Sequence, residues 1–147
     1  MTAERPLVGD VMSREVLTLT EDQDLEHLEH AMRMFKFRHM PVTQNRRLVG
    51  LVSHRDLLGV SASTLLPSAA EQNALLARRF HVRDVMVREV DTVRADVPLA
   101  DAARAMLQKQ LGCLPVVDAD NVLVGIITET DFLRLAVRSL EERAGGG

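Results

Sequence analysis

The sequence consists of two copies of one unit, and this duplication limits the possible folds more than any other feature of the chain. Residues 8–12 return as residues 82–86, and residues 48–58 return as residues 123–133. Similarity at a regular interval is the signature of a fold built from repeated structural units. A single unit of about 55 residues buries too little apolar surface for comfortable stability. We therefore expect the copies to pack together and to form a cleft between two similar surfaces.

Each copy follows the same order of predicted elements. Short apolar or alternating runs indicate strands, and apolar residues at a spacing of three and four indicate helices. The predicted strands are residues 16–19, 40–42 and 48–53 in the first copy, and residues 90–93, 114–117 and 123–128 in the second. The predicted helices are residues 25–35, 56–60, 99–110 and 131–142. We predict a mixed α/β (α+β) fold of two β-α-β-β-α repeats, packed through their sheets in a pseudo-two-fold arrangement.

The duplication also predicts how the chain is divided. The first repeat spans residues 7–60 and the second spans residues 81–142. Residues 61–80 between them form a predicted helical connector, because a Pro-Ser break precedes an Ala-rich run. Residues 143–147, which end in three glycines, are expected to form a disordered tail.

Composition narrows the possible functions. The net charge of −3 gives no general attraction for DNA or an anionic membrane, and four Phe without Trp or Tyr offer no stacking platform for nucleic acid. The sequence contains no apolar run of membrane-spanning length and no signal peptide, so we expect a cytoplasmic protein. His27 and His30 fall on the polar face of a predicted helix beside glutamates, and we predict no metal site there.

A short motif closes each copy. Ser53 and Thr128 end apolar strands, and Asp56 and Asp131 follow three positions later at the start of a helix. This spacing is that of a capping box, in which the two side chains satisfy the helix's own backbone N–H groups. It also suits a ligand site, because a helix N-terminus with hydroxyl and N–H groups holds polar ligands and anions. Two copies in register favour the ligand site.

The ordered set of motifs resembles the CBS domain, named after cystathionine β-synthase, and two such units in tandem resemble a Bateman module. Both copies contain an Asp-Val-Met opening, a Val-x-Thr strand, a Pro-Val pair and a Gly-x-x-Ser/Thr-x-x-Asp motif. These pieces begin at Asp10 and Asp84, Val16 and Val90, Pro41 and Pro115, and Gly50 and Gly125. The resemblance implies a non-catalytic regulatory module that binds an adenosine-type ligand, such as AMP, ADP, ATP or S-adenosylmethionine, in the cleft. An adenine nucleotide would be a regulatory ligand, and no cofactor is expected.

The resemblance also implies roles for individual residues. Asp56 and Asp131 would hold the ribose hydroxyls, with the neighbouring Ser or Thr assisting, because a carboxylate accepts hydrogen bonds from both groups of a cis-diol. The adenine ring would lie against the first strand, and the residues around each Pro-Val pair would line the ligand. The predicted ligand-binding residues are Val16, Leu17, Thr18, Arg38, His39, Met40, Pro41, Ser53, His54, Arg55, Asp56, Val90, Thr92, Gly112, Cys113, Leu114, Pro115, Thr128 and Asp131.

The two predicted sites differ in charge at the four positions that could meet a phosphate. These positions hold Arg38, His39, His54 and Arg55 in the first copy, and Gly112, Cys113, Glu129 and Thr130 in the second. Our hypothesis is that the sites are inequivalent and that one main ligand carries phosphates. Which of the two sites holds this ligand stays open, because residues on one side of a cleft can bind the phosphates of a ligand whose ribose is held on the other side. The alternative is that the basic residues form a solvated charged face.

The resemblance further implies a homodimer that signals to an unknown effector protein. The predicted helices at residues 25–35 and 99–110 are the candidate contact faces. Three other functions stay open at this stage: an interaction scaffold whose cleft is empty, a sensor of S-adenosylmethionine or an NAD-type ligand, and an enzyme that hydrolyses nucleotides in the cleft.

Overall fold

The structure, a computed structural model, describes residues 5–60 and 80–145, with the side chains of residues 27, 29 and 58–60 left out. Each copy contains two helices, two strands and a further helix in that order, so the predicted mixed α and β class is confirmed. The elements are α1 (Val8–Val11), α2 (Leu25–Phe35), β1 (His39–Gln44), β2 (Arg47–Ser53), α3 (His54–Val60), α4 (Val82–Val85), α5 (Leu99–Lys109), β3 (Cys113–Val117), β4 (Leu123–Thr128) and α6 (Glu129–Gly145).

Each copy contributes one antiparallel hairpin. Strand β1 pairs with β2, starting with His39 opposite Ser53, and β3 pairs with β4, starting with Cys113 opposite Thr128. Asn45, at the tip of the first hairpin, has a φ of 52° and the residue after it has a φ of 70°. Positive φ angles at both central residues are typical of a two-residue hairpin turn, because the backbone twist of such a turn matches the right-handed twist of the flanking strands.

The predicted first strands, residues 16–19 and 90–93, are not formed as strands. Each segment makes a single parallel bridge instead, Leu19 to Val42 in the first copy and Val93 to Val116 in the second. In the first copy the Leu19 N–H donates to the Pro41 carbonyl at 2.9 Å, and the Thr43 N–H donates to the Leu19 carbonyl at 2.9 Å. The next rung would need an N–H from Pro41, and proline has none. The proline of the Pro-Val pair therefore ends the ladder after one bridge.

Three of the predicted helix boundaries also move. Helix α3 starts at His54 and α6 at Glu129, each two residues before the prediction, because the Ser or Thr of the motif is the last strand residue. Helix α6 continues through Gly145, beyond the expected end at residue 142, so Arg143, Ala144 and Gly145 are helical rather than disordered. Residues 61–79 of the connector and residues 146–147 of the tail lie outside the described residues.

The chain divides into two compact units that do not follow the linear order of the repeats. The first unit spans Val16–Val90 and contains the sheet of the first copy. The second unit combines Met1–Glu15 with Asp91–Gly147 and contains the sheet of the second copy. The opening segment of each copy therefore belongs to the unit that holds the other copy's sheet. The sequence showed the duplication but not this exchange of segments.

Main-chain hydrogen bonds hold the exchanged segments in place. In the second unit, the Val8 N–H donates to the Val97 carbonyl at 2.9 Å, and the Ser13 N–H donates to the Ile126 carbonyl at 2.9 Å. In the first unit, the Val82 N–H donates to the carbonyl of residue 23 at 2.8 Å. Leu51 of β2 and Val87 exchange two bonds of 3.0 and 2.9 Å. Each opening segment thus adds an edge bridge to the strand that leads into the other copy's motif.

The glycine of each motif makes room for a methionine from the exchanged segment. A Cβ atom placed on Gly50 would lie 2.6 Å from the sulfur of Met86, and one on Gly125 would lie 2.7 Å from the sulfur of Met12. Neither glycine has a positive φ, so close approach, not backbone conformation, requires the missing side chain. The Asp-Val-Met opening and the motif glycine are therefore two halves of one contact.

Each unit has its own core, to which α2 and α5 each contribute one apolar face. Phe35 and Leu107, whose spacing also placed them on the predicted apolar faces, are exposed instead. The buried side chains of the first core are Leu19, Leu25, Leu28, Met32, Met40, Val42, Val52, Leu57, Val82 and Met86. Those of the second core are Val8, Met12, Leu99, Ala102, Met106, Leu114, Val116 and Ile127. None of the described helices is both long and apolar enough to cross a membrane.

Candidate functional site

The motif of the first copy is a closed capping box at the start of α3. The Ser53 N–H donates to Asp56 Oδ2 at 2.8 Å, and the Ser53 hydroxyl donates to the same oxygen at 2.9 Å. In return the Asp56 N–H approaches Ser53 Oγ at 3.2 Å. Both side chains are half-buried. The capping role that the spacing allows is therefore present, and it fixes the orientation of the carboxylate.

The motif of the second copy forms the same contact less completely. The Thr128 N–H donates to Asp131 Oδ2 at 2.8 Å, and the Thr128 hydroxyl reaches this oxygen at 3.3 Å. Among the described residues there is no bond from the Asp131 N–H back to Thr128 Oγ1 that would match the reciprocal bond in the first copy. The threonine side chain is half-buried, as is Asp131.

Capping and ligand binding use different atoms of the aspartate. In both motifs the bonds from the Ser or Thr end on Oδ2. Within the described part of the chain, Oδ1 of Asp56 and Oδ1 of Asp131 accept no hydrogen bond. A carboxylate oxygen that is oriented but unused can accept a bond from a hydroxyl group of a ligand. The capping box thus presents a fixed acceptor instead of replacing a ligand site.

The fold brings the basic residues of the first copy to this helix end. The His54 N–H donates to the Arg38 carbonyl at 2.8 Å, immediately beyond the His39–Ser53 pair of the sheet. Arg38, His54 and Arg55 are exposed, and His39 is half-buried. Residues 38–39 and 53–56, which are separate in sequence, therefore form one continuous surface at the end of the β1–β2 hairpin.

The second copy has the same backbone arrangement with different side chains. The Glu129 N–H donates to the Gly112 carbonyl at 3.1 Å, next to the Cys113–Thr128 pair. Burial raises the pKa of the Cys113 thiol to about 12, and the nearby Glu129 carboxylate acts in the same direction. Cys113 is therefore a neutral, buried thiol at physiological pH, which makes it a poor nucleophile.

The other predicted ligand-binding residues differ in how far they are buried. Met40, Pro41, Leu114 and Pro115 are buried in the strands that follow the charged positions. Val16 and Val90 are half-buried, while Leu17, Thr18 and Thr92 are exposed. The parallel bridge from Leu19 to Val42 joins the end of the residue 16–19 segment to β1.

A small cavity lies elsewhere in the second unit, between α5 and the segment that precedes it. Its volume is about 150 Å³, and of the predicted ligand residues only Thr92 and Leu114 line it. Lys109 at its rim is paired with Asp91 at 2.7 Å. The residues of the Thr128–Asp131 motif do not line it, so it is separate from the helix-end site.

The described residues contain no cluster of three or more His, Cys, Asp and Glu that could hold a metal ion. The side chains of His27 and Glu29 lie outside this description. Sequence analysis missed the role of the Asp in each opening segment. Asp10 Oδ2 accepts the Leu7 N–H at 2.8 Å, and Asp84 Oδ2 accepts the His81 N–H at 2.8 Å. The signal was present, because each aspartate stands three positions after the residue that it caps.

Comparison with known proteins decides the family. The CBS domain family matches the chain twice, over residues 8–63 and 82–138. The chain belongs to the CBS domain family. The two matches include both motifs and both opening segments, so the recognition of a tandem CBS pair from the sequence is confirmed.

Solved structures of CBS pairs are similar to this chain over nearly its whole length. CBSX2 from Arabidopsis thaliana, a CBS-pair protein, has a TM-score of 0.82 and 28% identity, covering 94% of this chain and 99% of that chain. CBSX2 in complex with AMP has a TM-score of 0.76 and 30% identity, covering 90% and 97%. The CBS domain pair of protein MJ0100, in complex with methylthioadenosine and S-adenosyl-L-methionine, has a TM-score of 0.69 and 25% identity, covering 88% and 98%.

Curated relatives show the CBS pair both alone and inside longer proteins. A CBS domain-containing protein of Dictyostelium discoideum is 29% identical over 92% of this chain and 94% of its own length. An uncharacterized protein of Methanocaldococcus jannaschii is 29% identical over 89% of this chain, which spans 47% of that relative. The homoserine O-acetyltransferase of Methanohalobium evestigatum is 30% identical over 87% of this chain, which spans only 24% of that relative.

Proposed function

We propose that this CBS pair is a regulatory module that binds an adenosine-type ligand, with AMP, ADP or ATP preferred, and passes its level to an effector protein. The observation that carries the proposal is the oriented carboxylate at each helix end, whose Oδ2 is used for capping while Oδ1 accepts no hydrogen bond from the described residues. Such an acceptor suits a ribose hydroxyl, which is common to all adenosine-type ligands.

The similar structures support this chemistry. A protein with 30% identity to the chain is bound to AMP, and one with 25% identity is bound to S-adenosyl-L-methionine and methylthioadenosine. All three ligands contain adenosine with a ribose, and they differ in what the 5′ position carries. The ribose site is therefore the common part of the proposal, and the neighbouring side chains decide among ligands.

The basic surface of the first copy favours a ligand that carries phosphates. Arg38, His54 and Arg55 are exposed beside the Ser53–Asp56 motif, and a guanidinium group pairs well with phosphate oxygens. The second copy offers Gly112 and Glu129 at the corresponding places, where a carboxylate would repel a phosphate. The prediction of two inequivalent sites, and of a cleft between the repeats that holds the ligand, remains part of this proposal.

We propose a regulatory role rather than catalysis, in a cytoplasmic protein that acts as a homodimer. The pattern of relatives supports regulation, because the CBS pair occurs within longer proteins that differ in activity, including an acetyltransferase and an inosine-5′-monophosphate dehydrogenase. A module that accompanies unrelated activities is more simply a shared regulator than a shared catalyst.

Calorimetric titration with AMP, ADP, ATP, S-adenosylmethionine and NADH tests the proposal on wild type, Asp56→Asn and Asp131→Asn. Asparagine keeps an acceptor for the cap but removes the charge, so the helix end is preserved. The matched controls are Asp10→Asn and Asp84→Asn, which change a carboxylate with the same capping role outside the motif. We expect one motif variant to lose nucleotide binding while both controls keep it.

Other outcomes would change the assignment. If all four variants bind equally well, the motif serves only as a cap, and the ribose assignment is wrong. If none of the five compounds binds to wild type, the interaction scaffold becomes the better interpretation. Turnover of ATP by wild type that is lost in a motif variant would favour the enzyme.

A further inference from the structure

Helix α6 presents an apolar stripe to solvent. Leu133, Val137 and Leu140 are 65%, 53% and 64% exposed, and Ala144 continues the same line. These residues follow one another at intervals of four, three and four, which is the spacing of the a and d positions in a coiled coil. A single exposed leucine is ordinary, but a line of them along one helix face marks a contact surface.

The unit holds only the first turns of this helix. Phe132 and Leu135 pack against the core of the second unit. From Ala136 to the end of the helix at Gly145, every residue is exposed. An isolated helix of about ten residues is marginal in water, because most helix stability in proteins comes from packing of an apolar face. The second half of α6 therefore has the length and the face of a helix that packs against a partner.

Charges beside the stripe show which partner fits. Arg134 and Glu141 each follow a leucine of the stripe, so they lie on the same side of it, seven residues apart. Both are exposed, and neither has a hydrogen bond or ion pair with another described residue. A surface with one positive and one negative group, placed symmetrically about its centre, is complementary to itself when turned by 180°.

We propose that α6 pairs antiparallel with α6 of a second copy of this chain. Val137 would then pack beside Leu140 of the second copy, and Leu133 beside its Ala144. In the same register Arg134 faces Glu141 of the second copy, and the two-fold symmetry makes this contact twice. The inference rests on the homodimer in the proposed function and assigns its interface to a helix that the sequence analysis had not chosen.

Helix α5, one of the two faces predicted from sequence, does not carry a comparable stripe. Leu107 is 79% exposed, but the positions one turn and two turns before it on the same face are Ala103 and Ala100. Leu107 is therefore more exposed than any leucine or valine of the α6 stripe but has no large apolar neighbours along its own helix face, and it provides the control for α6.

Sedimentation equilibrium of the full chain over a range of concentrations tests the interface. We expect wild type to dimerise reversibly, Leu140→Asp to be monomeric, and Leu107→Asp to dimerise like wild type. Arg134→Glu and Glu141→Arg each place like charges together, and each should weaken self-association about tenfold or more. An equimolar mixture of these two variants should dimerise again, because each then faces the opposite charge. Since Leu140 is exposed, the thermal unfolding temperature of a Leu140→Asp monomer should match that of monomeric wild type at high dilution.

Each other result has a definite meaning. A wild type that is monomeric throughout would overturn both this interface and the proposed homodimer. A dimer that survives Leu140→Asp but is lost in Leu107→Asp would overturn the α6 interface alone. Failure of the mixed charge variants to associate would overturn the antiparallel register, since a parallel pair would set Arg134 against Glu129 instead. Nucleotide binding is measured separately and does not depend on these variants.

Discussion

The two copies of the motif share a backbone and differ in what surrounds it. In the first copy Ser53 and Asp56 exchange three hydrogen bonds beside a group of basic side chains. In the second copy Thr128 and Asp131 keep two bonds beside a glycine and a glutamate. Duplication therefore preserved the carboxylate at the helix end, which depends on the local fold. Arg38, His54 and Arg55 are exposed in the first copy, and the second copy has different residues at all three positions.

The two copies also differ in the contact between the motif glycine and the methionine of the exchanged segment. A Cβ on Gly50 would meet the flexible side chain of Met86 at 2.6 Å, with backbone no nearer than 3.1 Å. A Cβ on Gly125 would meet the sulfur of Met12 at 2.7 Å and also the carbonyl oxygen of Ser13 at 2.8 Å. The second copy is thus tighter, because a main-chain atom as well as a side chain stands in the way.

The largest expected effect is a loss of stability on substitution of these two glycines, and the loss should differ between them. We expect Gly125→Ala to destabilise the protein by about 2–3 kcal/mol and Gly50→Ala by about 1–2 kcal/mol, since a methionine can turn away but a bonded carbonyl cannot. Chemical denaturation with a fluorescent reporter dye or circular dichroism measures both. Gly145→Ala is the control, because nothing lies within 4 Å of its added Cβ. Equal losses in the two motif variants would show that the backbone of residue 13 gives way as easily as a side chain.

The next effect concerns charge in the first copy. Replacement of Arg38 and Arg55 by Ala should weaken AMP binding about tenfold or more, because each guanidinium can make a charge-assisted bond to phosphate. Adenosine, which lacks the phosphate, should lose much less. The matched control is Thr130→Ala, at the position of the second copy that corresponds to Arg55. Parallel calorimetric titrations with the two ligands decide the matter, and equal losses for AMP and adenosine would refute the electrostatic explanation.

The smallest expected effect is the loss of stability on removal of the Ser53 or Thr128 hydroxyl from its helix cap. Ser53→Ala removes the acceptor of the 3.2 Å bond from the Asp56 N–H, and we expect a loss of about 1 kcal/mol in the free energy of unfolding. Thr128→Ala removes only a donor to a carboxylate that keeps its main-chain bond, so the loss should be about half as large. Urea denaturation of both variants measures the difference. A larger loss for Thr128→Ala would mean that the second cap is the stronger one.

Helices α2 and α5 were predicted almost to the residue. Leu25–Phe35 agrees with the predicted range at both ends, and Leu99–Lys109 differs by one residue. The apolar periodicity of both helices is strong, and such patterns identify the buried face directly. The left-handed conformation of Gln110 ends the second helix one residue early, and nothing in a glutamine signals this.

The prediction of strands at residues 16–19 and 90–93 was wrong, and the sequence already contained the reason. Pro41 and Pro115 lie near the starts of the predicted strands 40–42 and 114–117, where proline is tolerated. Their missing N–H groups matter more to the neighbouring segment, which keeps one bridge at Leu19 and one at Val93. Sequence patterns describe one strand at a time, whereas a ladder needs donors and acceptors from two.

The candidate site was predictable in outline. The spacing of Ser53 and Asp56 indicated both the cap and the ligand site, and the structure confirms the cap, in which Oδ2 is used while Oδ1 accepts no bond from the described residues. The ligand role of Asp56 stays a prediction. The neighbourhood of Arg38 and His54 depends on strand register, which a sequence pattern does not define across a hairpin.

The amino-acid sequence by itself determined the duplication, the buried faces of the helices and the chemistry of each motif, because these depend on residues close together in the chain. Only the tertiary structure decided which segments form each unit. Residues 5–15 pack with the second copy's sheet, and Met12 lies against Gly125, through contacts between residues far apart in sequence. The two copies have nearly the same opening segment, so local preference cannot distinguish its own sheet from the other. The exchange is settled by long-range packing and main-chain hydrogen bonds, which no local pattern encodes.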